Sequence, residues 1–330
     1  MTDSRYDVLG IGNAIVDVLA QADDDFLQAK GLAKGAMTLI DADAAKDLYA
    51  DMGSAIECSG GSAANTVAGL ASLGGRAAFI GKVRDDELGA VFRHDIRAVG
   101  VDFDSLLAAE GSSTARCLIF VTPDAQRTMQ TFLGACVDLG PDDIDVEMVA
   151  AADITYLEGY LWDPPAAKEA FVKAARAASE AGRKVSLSLS DPFCVGRYRE
   201  SFVELVDNHV DILFANEEEI ISLYQAKDFD AALQRVREDC SIAALTRGEK
   251  GSVIVAGDEI HIIDADPIDR VVDTTGAGDA YAAGFLYGLS QGNDLAQCGR
   301  LGGAAATEVI GHMGARSEGS LKDLVKARLG

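Results

Sequence analysis

The stretch "DTTGAGDAYAAG", Asp273 to Gly284, decides how this chain is read. Its glycine-rich turn runs directly into a small-residue segment with the character of a helix. Glycines let the backbone turn so that the N–H groups of residues 276 to 279 point outward at a helix start. Such a concavity, reinforced by the helix dipole, binds anions. Asp279 follows at once, and its charge would repel a resident anion. The conflict resolves if the anion is a phosphoryl group in transfer and Asp279 is the general base for the attacking hydroxyl. A positioned base contributes on the order of 10²- to 10⁴-fold, while the amide-lined hollow stabilises charge on the transferred group. The residues alone leave a plainer alternative open, a first-turn aspartate that complements the helix dipole.

The turn is not a Walker A loop, because no G-x-x-x-x-G-K-[ST] occurs in the chain. Nor is it a dinucleotide fingerprint, since Tyr281 stands where the third glycine belongs, and Gly10-x-Gly12 fails with Ile15 in that place.

With 330 residues, 48% of them hydrophobic, the chain can bury a large core. Its formal charge of −24 argues against nucleic acid and anionic membranes as partners, because their phosphates reward lysine and arginine clusters that are missing here. Cys58, Cys117, Cys136, Cys194, Cys240 and Cys298 stand apart with no C-x-x-C pair, and His94, His209, His261 and His312 form no metal-ligand pattern. The first residues lack a basic region followed by an apolar run, and the apolar window from Ala280 to Leu289 is too short to span a bilayer. A cytoplasmic location is expected.

Hydrophobic periodicity predicts strands over 6–11, 14–20 and 36–40, the last two as part of a small antiparallel layer. Alternation follows: helix 62–73, strand 77–81, helix 86–98, and a hairpin of two runs within 115–133 joined by "TPDAQ". From residue 153 it is cleaner, with strands 153–157, 184–189 and 211–214 between helices 165–181, 197–207 and 217–224. Strands 242–246, 252–256 and 259–263 and helices 278–290, 294–312 and 319–328 complete the chain. Repeated strand and helix imply a parallel sheet covered on both faces. The expected architecture is a single domain over 1–330, an α/β sandwich, with strands 14–20, 36–40 and 115–133 as a small β-sheet lid over the carboxyl edge, where ligands bind.

Four further segments carry polar residues at element ends. In "GGSAANTVAGLASLG", Gly60 and Gly61 open a helix and Asn65 lies one turn in, offering donor and acceptor to ligand hydroxyls. In "GIGNAIVDVLA", Asp17 could accept from vicinal hydroxyls, or sit on the wet face of a half-buried strand. In "DILFANEEEI", Asn216 and Glu219 also have the spacing of a capping box. In "ALTRGEKGSVIV", a strand ends at Thr246 before Gly248.

Together, "DTTGAGDAYAAGF" and the glycine-pair segment resemble the two signatures of the ribokinase-type (PfkB) carbohydrate and nucleoside kinases, in order and over essentially the whole chain. That resemblance implies a ribokinase-like three-layer α/β/α sandwich. It implies an anion hole from Gly276, Ala277 and Gly278 with Asp279 as catalytic base. Asn13, Asp17, Gly60, Gly61 and Asn65 match the sugar-gripping positions. Asn216, Thr246, Gly248 and Thr274 fall on the nucleotide side, and Glu219 matches the position that organises Mg²⁺, usually through water. ATP and Mg²⁺ are the implied cosubstrate and cofactor, with K⁺ possible near Asp269 to Thr274.

Within the family, adenosine kinases are the most similar, through "GNAIVD", "YLEGYL", "LSLSDPFCVGRYRESF" and "VDILFANEEE", where Tyr160 or Leu161 would pack on a base. Thr275 departs from them and gives the form of ribokinase and fructokinase relatives, and Thr38 offers less to an adenine ring than a longer amide. The expectation is an ATP-dependent kinase acting on the 5'-hydroxyl of adenosine. Alternatives are a sugar kinase of the same family and a non-catalytic small-molecule-binding regulator. The assembly is expected to be a monomer or a lid-mediated homodimer.

Overall fold

The computed structural model describes residues 4–124 and 126–329; Met1 to Asp3, Gly330 and Ala125, in the "TPDAQ" connection, lie outside it. Its strands in chain order are β1 (Tyr6–Ile11), β2 (Ile15–Gln21), β3 (Met37–Leu39), β4 (Ala55–Gly60), β5 (Ala77–Ile80), β6 (Val101–Asp102) and β7 (Ala115–Val121). They continue as β8 (Arg127–Phe132), β9 (Ala152–Glu158), β10 (Lys184–Ser188), β11 (Ile212–Asn216), β12 (Ile242–Thr246), β13 (Ser252–Ala256) and β14 (Glu259–Ile263).

Nine of these form one sheet in the order β14-β13-β12-β11-β10-β9-β1-β5-β6. From β12 to β6 every pairing is parallel, and only the β12–β13 and β13–β14 pairings are antiparallel, so β13 alone runs against the rest of the sheet. Consecutive residues of a strand face opposite sides. Leu9, Leu187 and Leu213 accordingly join a core with Phe171, Phe202 and Val236 from the helices Pro165–Glu180, Pro192–His209 and Phe229–Asp239. Their neighbours Val8 and Ile212 join Val67, Phe92 and Phe285 from the helices Ser62–Leu73, Glu87–Ala98 and Ala277–Ser290 on the other face. The result is three layers, α/β/α, and burial on both faces explains the unbroken apolar runs of these strands.

The second sheet has the order β3-β8-β7-β2-β4. It is mixed, not antiparallel: β2 and β7 are parallel, as are β3 and β8, while β2 with β4 and β7 with β8 are antiparallel. A parallel β2–β7 pair requires a long crossover. Residues 22–114 supply it, passing through β3 and β4 of the same sheet and then β5 and β6 of the large one.

Helix starts follow their caps. Asp191 accepts from Cys194 N–H at 2.7 Å with Pro192 in the first position, so a short helical segment precedes the expected 197–207 helix and joins it across a kink at Tyr198 (φ −126°, ψ 28°). No helix among the described residues is long and apolar enough to cross a membrane.

Candidate active site

Asp279 lies in the first turn of the helix Ala277–Ser290, half-buried. Its Oδ1 accepts from Ser62 Oγ at 2.6 Å and its Oδ2 from Asn65 Nδ2 at 3.3 Å. The two signatures, more than 200 residues apart in sequence, therefore meet at one carboxylate. Burial raises its pKa to about 6, against the lowering influence of the Ser62 and Asn65 hydrogen bonds and the Arg316 charge. Ahead of it, Gly276 takes φ +75°, and a Cβ there would fall 2.6 Å from the Ala315 carbonyl oxygen. Only glycine fits. Ala277 N–H bonds back to Thr274 O at 3.2 Å, which leaves the first-turn amides of Gly278 and Asp279 without an intrahelical partner.

The loop is tied down by Asp273. Its Oδ1 accepts from Thr275 N–H at 2.9 Å and Thr275 Oγ at 2.7 Å, and its Oδ2 from Gly314 N–H at 3.0 Å. Arg127, the first residue of β8, pairs with the same Oδ2 at 3.0 Å. Burial pushes the Asp273 carboxyl up, but these hydrogen bonds and the Arg127 charge outweigh it and hold the pKa below the usual range.

On the neighbouring strands, Asn13 follows β1 and Glu158 ends β9, the two strands from which the sheet grows in opposite directions. Such a switch point is where ligands bind in open α/β sheets. Here Asn13 Nδ2 donates to Glu158 Oε1 at 2.6 Å, while Asn13 N–H at 3.3 Å and Ala63 N–H at 2.9 Å donate to Oε2. Glu158 is 1% exposed, and burial lifts its pKa to about 7 against the pull of those donors. Asn13 Oδ1 is buried without a partner among the described residues. Gly61, at φ +104°, caps the helix Ser62–Leu73. Gly60 ends β4 beside Asp17 of β2. Asp17 is half-buried with its pKa raised to about 6, burial being the main cause, opposed by Arg316 and Arg127 and reinforced by Asp279. Tyr160 is 43% exposed, its N–H held by Ser190 Oγ at 3.1 Å, whereas Leu161 is buried in the core and faces no ligand space.

Asn216 and Thr246 are register partners at the carboxyl ends of β11 and β12, and Gly248 lies one residue beyond the next turn position at φ +57°. Thr274 is exposed beside the anion loop. Asn216 and Glu219 close a complete capping box: Asn216 Oδ1 accepts from Glu219 N–H at 2.8 Å, and Glu219 accepts from Asn216 N–H at 2.9 Å and Nδ2 at 2.6 Å. Both carboxylate oxygens of Glu219 are engaged. Among the described residues no three His, Cys, Asp or Glu side chains are grouped to hold a metal. This donor set fits a hydrated Mg²⁺ carried by phosphates and contacting Glu219 through water, not a protein cage.

Arg127, Glu158 and Arg316 were not singled out as site residues by the sequence. Glu158 sits inside the quoted "YLEGYL", where an acidic residue at the end of an apolar strand was the available signal.

The model of the pfkB family carbohydrate kinases matches residues 36–322. The crystal structure of adenosine kinase from Sinorhizobium meliloti is 54% identical, with 98% of this chain and 99% of that one covered at a TM-score of 0.90. That of a probable sugar kinase protein from Rhizobium etli CFN 42 is 52% identical, with 98% of each chain covered and a TM-score of 0.90. The ATP-dependent ribose-1-phosphate kinase of Halopiger xanaduensis is 32% identical over 264 residues, 78% of this chain and 82% of that one. This chain belongs to the pfkB family of carbohydrate kinases.

Proposed function

We propose that this kinase transfers the γ-phosphoryl group of ATP to the 5'-hydroxyl of adenosine. The observation that carries the reading is the half-buried Asp279 carboxylate, set between free helix-start amides and the polar residues of the Ser62–Leu73 helix. The carboxylate takes the proton of the attacking hydroxyl while the amides of Gly278 and Asp279 stabilise charge on the phosphoryl oxygens. A hydrated Mg²⁺ at Glu219, when bound, neutralises phosphate charge. Asp17, Gly60, Gly61 and Asn65 line the ribose side, with Asn13 held by Glu158 beneath, and Tyr160 supplies a face for the base. Asn216, Thr246, Gly248 and Thr274 belong to the ATP side. The second sheet serves as a lid that excludes water as a competing acceptor.

Adenosine is favoured over other acceptors by the 54% identity to a structure named as adenosine kinase over nearly the full chain. A sugar acceptor is the second reading, supported by Thr275 and by the sugar and ribose-1-phosphate kinases among the relatives. A screen with Mg²⁺ and ATP across adenosine, other nucleosides, ribose and fructose separates them. Product from adenosine at the highest kcat/KM is expected, and product from ribose or fructose alone overturns the nucleoside assignment. Asp279→Asn is expected to reduce turnover on the order of 10²- to 10⁴-fold. Near-normal turnover removes Asp279 as the base.

A further inference from the structure

Arg316 lies in the segment between the helices Leu295–Val309 and Leu321–Leu329 and reaches into the acceptor site. Its Nε donates to Asn65 Oδ1 at 2.9 Å and its Nη1 to Ser59 Oγ at 2.9 Å. Among the described residues one carboxylate, Asp95, comes within ion-pair reach, at 3.5 Å, and Nη2 is buried with no partner. A stabilising salt bridge is not built this way. The side chain is 21% exposed, so water reaches part of it, but an incompletely paired guanidinium this far withdrawn from water weakens the fold, and burial lowers its pKa despite Asp95, Cys58, Asp17 and Asp279 nearby.

What the guanidinium does accomplish follows from its chemistry. It carries donors and no acceptor. The Asn65 atom facing Nε must therefore be the carbonyl oxygen, and the atom facing Asp279 Oδ2 must be the NH₂ group. With the amide turned the other way, two oxygens would confront each other at Asp279 and two donors at Arg316.

We propose that Arg316 is a positioning residue of the phosphoryl-acceptor site, fixing the Asn65 amide so that its NH₂ group orients Asp279 and favours its ionised form. This rests on Asp279 being the base. Asp279 is faced by Ser62 and Asn65 of one helix, Asp17 of β2, Tyr156 and Glu158 of β9, Tyr160 and Arg316.

The test titrates Asp279 in the full chain by ¹³C NMR of labelled aspartate carboxyls, its signal assigned by its loss in Asp279→Asn. The wild-type midpoint is expected near 6. In Arg316→Gln it should rise by about one unit. Asn65→Ala should raise it too, and the double variant should shift it by less than the sum, because both changes remove the same chain of donors. Arg316→Lys keeps the charge without the Nε–H and should fall between wild type and Arg316→Gln. A wild-type midpoint in either Arg316 variant, or additive shifts in the double variant, overturns the proposal. If Arg316→Gln does not fold, Ser59→Ala, which frees Nη1, should move the midpoint upward and an unmoved midpoint overturns the proposal equally. Normal turnover in Asp279→Asn would remove the base itself while leaving the titration intact, so the two failures are distinguishable.

Discussion

Arg127 and Asp273 form an ion pair of 3.0 Å with side chains only 7% and 9% exposed, and it joins the second sheet to the anion loop. Nε and Nη2 of Arg127 find no partner among the described residues, so Asp273 carries most of the compensation for a buried charge. Removing one member of a buried pair costs about 3–5 kcal/mol, because the other charge is left without compensation. Arg127→Gln is expected to lower unfolding free energy by that order in urea. It should also slow turnover beyond any loss of folded protein, since Asp273 holds Thr275 just ahead of Gly276. Stability within 1 kcal/mol of wild type would remove the pair as a tether.

Glu158 accepts three N–H donors from two elements, Asn13 after β1 and Ala63 in the following helix. Glu158→Gln supplies one accepting oxygen where two are used, and its NH₂ group must confront a donor. An unsatisfied buried group costs about 1–3 kcal/mol. The variant is expected to be less stable by that amount. Its KM for the acceptor should rise more than its kcat falls, because in the proposed site Asn13 and Gly61 border the acceptor while Asp279 is bonded elsewhere. Unchanged KM would show that Glu158 only holds the fold.

Much of this was legible in the sequence because it is local. The helix over 62–73 was expected and found between the same residues, since glycine stands at both of its ends, Gly61 and Gly74. Short elements escaped. The strand Ala55–Gly60 lies at a sheet edge with Ile56 72% exposed, so it shows no clean apolar alternation. The helix Phe229–Asp239, absent from the expected elements, does carry a signal, with Asp228 as N-cap and Phe229, Ala232, Leu233 and Val236 buried on one face. Asp279, Asn65, Asn216 and Glu219 could be proposed from the sequence because each falls inside a local motif. Arg127, Glu158 and Arg316 take their roles from partners 146, 145 and 251 positions away, and no local pattern encodes such pairings.

Gly61 separates a functional defect from a general one. At φ +104° it occupies backbone space that disfavours any side chain, and a Cβ would fall 2.1 Å from the Asn13 carbonyl oxygen. Gly61→Ala must therefore push apart the turn after β1 and the start of the Ser62–Leu73 helix, the two pieces that carry Asn13 and Asn65. Strain of this kind costs on the order of 1–3 kcal/mol. The expected result is a folded protein with a lower melting temperature and acceptor binding at least tenfold weaker, measured by calorimetry. Wild-type affinity would show that this junction does not shape the acceptor site.

The acidic groups of the site set stability and activity in opposition as pH changes. Asp17 and Asp279 have pKa values raised to about 6 and Glu158 to about 7, burial being the first cause in each. Unfolded carboxyls titrate near 4, so between pH 4 and 7 the folded state binds these protons more tightly. Their contribution to stability is full below pH 4 and is lost as pH rises through 6 to 7. Activity is expected to run the other way, since the base proposed at Asp279 must be ionised: kcat/KM should fall about tenfold per unit below pH 6. Other carboxyls, Asp273 among them, have lowered values and oppose the stability trend. The Asp279 contribution is therefore isolated by difference. Relative to wild type, Asp279→Asn should gain stability in urea between pH 5 and pH 8, because the variant has no charge to bury. A difference that stays constant across that range, together with an acid limb near pH 4, would mean that Asp279 is ionised without penalty and that its surroundings do not tune it.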